Sequence, residues 1–371
     1  MKIKPKLMII FGTRPEAIKM CPLVLALKEC PFFETILCVS GQHAEMLDSA
    51  LADFGVLPDL NLEIMKDCRT PADITAKILE KVTPVLEYHS PDMIIVHGDT
   101  STAYASALAA FYLNIPIAHV EAGLRSFDLS SPFPEEYNRE SIDILSSLCF
   151  APTKQAERNL LKEGKSKEQI FVTGNTVIDS LLISIKKDYK NPLLSTLLPN
   201  EKSKFSLLTL HRRENIGEPM RNIFRAIKKV LEEHPELSIL FPIHKNPAVR
   251  ELAQEELSGQ ERIYICEPMN PFDFRNMLVR CDFAMSDSGG IQEEAAFLGK
   301  PLLVLRNTTE RPESTENPIL IGTAEDSVYR SVSLILTNPK IIERMSRPSD
   351  AFGKGDASQK ILSVLYKYFF D

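Results

Sequence analysis

The chain has 371 residues, more than one hydrophobic core ordinarily supports, so two domains are expected. With 44% apolar and 25% charged residues it has the make-up of an ordinary soluble protein, which excludes a disordered or membrane-embedded chain. A net charge of −7 with no Lys/Arg tract excludes an extended nucleic-acid groove. No apolar stretch is long enough to span a bilayer, and LMIIF near the N-terminus is too short for a signal peptide. The seven cysteines form neither C-x-x-C pairs nor an even framework, so reduced core thiols in a cytoplasmic protein are expected. The seven histidines are scattered without metal-ligand spacing, so no metal site is expected, and the lack of a long apolar stretch leaves no membrane partner expected.

Strand one is LMIIF (Leu7 to Phe11), and a helix follows from about Pro15. Between them, Thr13 and Glu16 have capping-box spacing and Pro15 suits a first helical turn. The single glycine of GTRPEAIK rules out both G-x-G-x-x-G and a P-loop. Arg14 and Lys19 instead bring two cations to the mouth of the strand, where they can hold diphosphate or sugar oxygens. The alternative is a surface ion pair with Glu16. TILCVS (Thr35 to Ser40) is the next strand, with a helix from about Gln42, a Pro-containing connection at Lys66 to Pro71, and a further helix.

The stretch from His97 to Arg139 is the most informative. MIIV (Met93 to Val96) is apolar and β-branched, as a buried parallel strand should be, and ends in His-Gly-Asp-Thr before a helix near Ser101. IPIAHV ends in Glu121, and a Pro-rich loop carries Glu135 and Glu136. Ligands of open α/β sheets bind outside the carboxyl ends of the strands, so Asp99, Glu121 and an acid of this loop together suggest acid/base chemistry. Taken singly, Asp99 can equally be a helix cap and the others surface charge. SLCFAPT (Ser147 to Thr153) is a further strand; the βαβα order implies a doubly wound parallel sheet.

A second half opens at IFVTGNTVID, and the domains are placed at 1–172 and 173–355. After a polar segment (Lys186 to Lys204), strands are expected at SLLTL, SILFPI, IYIC, FAMSDS and PLLVL, with helices between most of them. HRREN follows the first of these, and His211 beside Arg212 and Arg213 suggests a phosphate site. His244 ends another strand without an assignable role. PFDFRNM offers Phe274 or Phe272 as a face for a base, or as ordinary core. DSGGIQEEA is the strongest phosphate signal: Ser288, Gly289 and Gly290 let backbone approach an anion at a helix N-terminus, and Glu294, one turn on, can reach ribose hydroxyls. Its alternative is a plain glycine turn with a capping serine. Arg306 and Arg311 in RNTTERPES add anion donors. The last helix, roughly Ser358 to Tyr368, has an apolar face that either domain can receive. Two α/β domains facing across a cleft suit a nucleotide-sugar site.

FGTRPEAIKM, GQHAEMLD, HGDTST, HVEAGLR, SPFPEEYNR, VTGNTVID, HRREN, DSGGIQEEA and TTERPE, in this order, resemble the motifs of the non-hydrolysing UDP-N-acetylglucosamine 2-epimerases of bacterial surface-polysaccharide pathways. The resemblance runs nearly the whole length. It implies two Rossmann-like domains of the GT-B type, UDP held mainly by the C-terminal one, a last helix (356–371) returning to the N-terminal domain, and a homodimer. It implies loss of the C2 proton with cleavage of the anomeric C–O bond, giving UDP and 2-acetamidoglucal. Re-addition then forms UDP-N-acetylmannosamine, without NAD, metal or other cofactor.

By that resemblance Asp99, Glu121 and Glu135 match the acid/base carboxylates and His211 the histidine near the diphosphate. Arg14, Lys19, Arg139, Arg212, Ser288, Gly289, Gly290, Glu294 and Arg311 match substrate-binding positions, with Phe274 the partner of uracil. Family members often use a second UDP-N-acetylglucosamine as an allosteric activator, and Gln42, His43, Arg212 and His244 lie on motifs linked with that pocket. Here the sequence departs from the family pattern. Cys68 stands where an arginine is frequent, Lys245 replaces an apolar residue, and the loop after Glu313 is shorter, so weakened activation is expected with intact chemistry. Three readings compete: a hydrolysing epimerase releasing free N-acetylmannosamine, a GT-B glycosyltransferase, and a silent UDP-sugar sensor.

Overall fold

The apolar runs of the N-terminal half build one parallel sheet and those of the C-terminal half another in the computed structural model, which describes residues 4–41, 44–64, 70–309 and 317–371. The chain divides into two compact units, Met1–Leu182 with Phe352–Asp371, and Ile183–Ala351.

The first unit opens with β1 (Lys6–Phe11), α1 (Arg14–Glu29), β2 (Glu34–Val39), α2 (Ala44–Asp53), β3 (Leu60–Asn61) and α3 (Pro71–His89). It continues with β4 (Met93–His97), α4 (Ser101–Tyr112), β5 (Ile117–Val120), α5 (Glu135–Leu145), β6 (Leu148–Ala151), α6 (Lys154–Lys162), β7 (Ile170–Val172) and most of α7 (Thr176–Ser184), whose last two residues are counted with the second unit. The seven strands pair in parallel in the order β3-β2-β1-β4-β5-β6-β7. The IFV run, expected to open the second half, is therefore the edge strand of the first sheet, paired with β6. Strand direction of travel across the sheet reverses between β1 and β4, the switch point where doubly wound sheets bind ligands. All five residues of β4 are buried, which explains its unbroken apolar run. The small residues of α4 (Ala103, Ala105, Ser106, Ala107, Ala109, Ala110) are buried too and let this helix lie close to the sheet and to α3.

The second unit holds α8 (Pro192–Leu197), β8 (Lys204–Thr209), α9 (Glu218–Glu233), β9 (Leu237–Pro242), α10 (Pro247–Leu257), β10 (Ile263–Cys266) and α11 (Pro271–Arg280). There follow β11 (Phe283–Ser286), α12 (Gly289–Leu298), β12 (Leu302–Val304), β13 (Ile319–Leu320), α13 (Glu325–Thr337) and α14 (Pro339–Met345). Its six strands run parallel in the order β10-β9-β8-β11-β12-β13, with the switch point between β8 and β11. Alternate residues feed two cores: Leu208, Phe283, Met285 and Leu303 face α9, α10 and α13, whereas Phe205, Leu207, Ala284 and Leu302 face α8, α11 and α12.

The chain then returns to the first unit as α15 (Ala357–Phe370). Gly174 and Gly353 pass so close that a Cβ on Gly174 would lie 2.9 Å from the Gly353 Cα, and both have positive φ, so only glycine fits either place. The Asp179 carboxylate accepts the Ala357 and Ser358 amides at 3.2 and 2.8 Å and so caps α15. Tyr366, Phe369 and Phe370 close the seam against Phe32 and Phe33, with centroids 5.0–6.2 Å apart.

Candidate active site

At the switch point of the first sheet, the turns that leave β1 and β4 are tied together by one carboxylate. Glu16 accepts the Gly12 and Thr13 amides at 3.0 and 2.8 Å with one oxygen and the Thr100 hydroxyl at 2.8 Å with the other. Burial pushes its pKa up, against these hydrogen bonds. The capping box read from Thr13 and Glu16 is present. Glu16 is occupied in this way, and the charge that acts on half-buried Arg14 is that of Asp53; burial pushes the Arg14 pKa down and Asp53 opposes it. Gly12 must be glycine for lack of room, since a Cβ would lie 1.9 Å from the Ser40 hydroxyl.

The β4 turn frees Asp99 from a structural duty. Thr100, not Asp99, is the cap of α4, its hydroxyl accepting the Ala103 amide at 3.1 Å. Arg139 donates instead to the Asp99 carboxylate, and the Asn138 side chain donates to the Asp99 carbonyl at 2.8 Å. Glu135 stands three and four positions before these two on α5, hence on the same helix face. Its neighbour Glu136 is fully buried and accepts the Ser126 and Phe127 amides at 2.7 and 2.9 Å. Glu136 staples the loop and also lies 3.3 Å from the Arg139 guanidinium that holds Asp99, while half-buried Glu135 starts the helix.

Glu121 follows β5 with a left-handed backbone (φ 69°), uncommon for a residue with a side chain and characteristic of functional turns. One of its oxygens receives the Lys19 ammonium at 2.6 Å and the Asn175 amide at 2.7 Å. Lys19 is therefore no surface partner of Glu16. The same oxygen lies 3.8 Å from Nε2 of His97.

A buried ionic chain underlies both turns. The His119 ring faces two acceptors, the Asp143 carboxylate at 2.6 Å and the Gly98 carbonyl at 2.7 Å, the latter just before Asp99. Asp143 also accepts the Gly123 amide at 3.0 Å and the Arg125 guanidinium at 2.7 Å. Burial pushes the Asp143 pKa up, but His119 and Arg125 outweigh it and hold the carboxyl below its ordinary value.

In the second unit another buried carboxylate organises the switch point. Asp287, just past β11, accepts the His211 and Arg212 amides, each at 3.0 Å, the Asn215 side chain at 3.0 Å and the His211 ring at 2.9 Å. Burial opposes its charge, yet the His211 ring and these amides keep its pKa below the ordinary value. The Arg212 guanidinium donates to the Asp287 carbonyl at 3.2 Å, and the exposed His244 ring lies 6.0 Å from that of His211, centroid to centroid. Burial and His211 push the His244 pKa down.

Ser288 caps α12 without a side-chain hydrogen bond to the helix, and nothing lies within 4 Å of a Cβ built on Gly290. That leaves open space at a helix N-terminus whose amides suit an anion. Glu294, a turn further in, is held by the buried Arg275, whose guanidinium donates to one oxygen at 2.9 and 2.8 Å and to the Ser184 hydroxyl at 2.8 Å. Phe274 packs half-buried on the core beside it.

The sequence model of the UDP-N-acetylglucosamine 2-epimerase family matches residues 25–366. A UDP-N-acetylglucosamine 2-epimerase of Bacillus subtilis (strain 168) is 46% identical over 368 residues, covering 99% of this chain and 96% of its own. The chain belongs to the UDP-N-acetylglucosamine 2-epimerase family. Solved structures agree. The Neisseria meningitidis enzyme bound to UDP-GlcNAc superposes with a TM-score of 0.91 at 41% identity, covering 98% of this chain and 100% of that one. The S. aureus MnaA–UDP co-structure also scores 0.91, at 46% identity and coverage of 98% and 97%.

Within this member of the family, the structure brings together Lys19 with Glu121, Asp99 with Arg139, and His211 with Arg212 and His244. Gln42, His43, Cys68, Arg311 and the loop after Glu313 lie outside the described residues. Sequence patterns assign no role to His97, His119, Asp143, Asn175, Arg275 and Asp287; for His97 and His119 a signal exists, as histidines in the last two positions of buried strands. Among the described residues no group of three or more His, Cys, Asp or Glu side chains is placed to hold a metal ion, and no helix is long and apolar enough to cross a membrane.

Proposed function

We propose that this chain interconverts UDP-N-acetylglucosamine and UDP-N-acetylmannosamine at C2, supplying N-acetylmannosamine units for surface polysaccharide. The observation that carries this reading is the pair of carboxylates, Asp99 and Glu121, just past neighbouring strands beside the switch point, Asp99 bound by Arg139 and Glu121 by Lys19. The C2 proton is weakly acidic, so its removal is coupled to departure of the diphosphate. A carboxylate takes the proton, the C–H electrons form the C1=C2 bond of 2-acetamidoglucal, and the C1–O bond breaks with its electrons going to UDP. Return of a UDP oxygen to C1, with protonation of the other face of C2, gives the epimer. Asp99, Glu121 and Glu135 supply the acid/base groups. The α12 N-terminus, Ser288, Gly289, Gly290, His211 and Arg212 hold the leaving diphosphate, with Arg14, Lys19, Arg139 and Arg311 as further substrate contacts. Glu294 receives ribose hydroxyls, and Phe274 lies against uracil.

The protein is read as a homodimer. Support comes from Tyr88, Phe111, Tyr112 and Ile144, exposed at the C-terminal ends of the neighbouring helices α3, α4 and α5. Activation by a second UDP-N-acetylglucosamine, through Gln42, His43 and His244, is read as weakened by Cys68 and Lys245.

The test is proton NMR of UDP-N-acetylglucosamine with the protein in D2O, without metal, NAD or acceptor. UDP-N-acetylmannosamine deuterated at C2 is expected. Free N-acetylmannosamine with UDP would place the protein on the hydrolysing branch, and no reaction would overturn the carboxylate assignment.

A further inference from the structure

His97 ends β4, a strand whose other four residues, Met93, Ile94, Ile95 and Val96, are fully buried and apolar. Its side chain is buried as well, with only 3% of the residue exposed, yet neither ring nitrogen has a hydrogen-bond partner. A buried imidazole left in that state destabilises the fold, and a core position could shed that cost by being apolar. The His97 Nε2 lies 3.8 Å from the Glu121 oxygen that already holds Lys19 and Asn175, and a shift of about 1 Å brings it into hydrogen-bonding range.

The environment also fixes which form of the ring is present. Burial, with help from Lys19 and His119 and against Glu121, pushes the His97 pKa down to about 3, so the ring is neutral through the physiological range. A neutral imidazole has one N–H to give. Lys19 already balances the charge on Glu121. A second cation would hold that carboxylate ionised, whereas a neutral donor orients it and leaves it able to take and return a proton.

We propose that His97 is a positioning residue that donates its ring N–H to Glu121 when substrate binds, keeping that carboxylate aimed. This deepens the proposed function and rests on its assignment of Glu121 to acid/base work.

The experiment compares His97→Leu, His97→Gln and Glu121→Gln in the full-length protein. Readouts are epimerisation kinetics, C2-hydrogen exchange in D2O, UDP titration and thermal denaturation. His97→Leu is expected to lower kcat and C2 exchange about ten- to hundredfold with KM and UDP affinity little changed. His97→Gln, which keeps an N–H donor at similar reach, should restore kcat to within about threefold of the unaltered enzyme. Full turnover by a folded His97→Leu enzyme, with Glu121→Gln inactive, would overturn the role of His97 alone. So would His97→Gln as slow as His97→Leu at equal thermal stability. Full turnover by Glu121→Gln would overturn both this role and the reading of Glu121 beneath it.

Discussion

Lys19, from the second turn of α1, and Glu121, just past β5, meet at 2.6 Å although 102 residues separate them in the chain. Both are largely buried, so the pair contributes through mutual compensation rather than as a screened surface contact. Lys19→Met removes the ammonium from the Glu121 carboxylate while the Asn175 amide stays. Turnover is expected to fall by about two orders of magnitude while the sheet stays intact. Steady-state kinetics beside a thermal melt check this; a folded variant at full rate would remove Lys19 from the reaction.

Asp99 is held by Arg139 and by the Asn138 amide but caps nothing, so its removal should be chemical in effect and not structural. Asp99→Asn is expected to abolish C2-hydrogen exchange in D2O while UDP affinity, followed by calorimetry, stays within about twofold. An exchanging variant would mean that another group is the base.

Glu135 and Glu136 are adjacent in sequence and opposite in duty. Glu136→Ala orphans the Ser126 and Phe127 amides, removes a partner of Arg139, and is expected to cost roughly 2–3 kcal/mol in urea denaturation. Glu135→Gln should leave stability within about 0.5 kcal/mol and slow turnover at least tenfold. The reverse pattern would exchange their assignments.

That contrast marks where sequence reading reached its limit. The strands Leu7 to Phe11, Met93 to Val96 and Phe283 to Ser286 were legible because buried parallel strands need unbroken apolar runs, and strand-end positions then drew attention to Asp99, Glu121, His211 and Ser288. The two-residue strands β3 and β13 have too little pattern to be seen. Burial of a charged residue is not written in its neighbours. Glu136 beside Glu135, or Arg275 between Phe274 and Asn276, shows its role only when a partner such as Ser126 or Glu294 arrives from elsewhere in the fold. The IFV run read as a fresh start because an edge strand and a first strand look alike until pairing is known.

Asp287 makes stability of the second unit depend on acid pH. Its folded pKa lies below its ordinary value of 3.8, so ionisation favours the folded state. Its contribution is complete above the unfolded value and is lost as pH falls from there through the folded one. Asp287→Asn should therefore melt well below the unaltered protein at pH 7, and the gap should narrow below about pH 4. A gap that is constant with pH would show that the carboxylate acts by shape and not by charge.

Substrate activation supplies the last expectation. In a pocket that binds a second nucleotide sugar, an arginine fork is the natural grip on diphosphate, and Cys68 offers no such donor. Lys245, next to His244, brings a point charge with a flexible stem, which cannot reproduce a planar two-point contact. Rate against UDP-N-acetylglucosamine should accordingly be hyperbolic, and UDP-N-acetylglucosamine should not stimulate the reverse reaction. Cys68→Arg should make the curve sigmoidal if the missing guanidinium is the cause. Strong sigmoidicity in the unaltered enzyme would sink the idea, because coupling between two sites has to come from contacts that differ between its two states, and those contacts would then be present without the arginine.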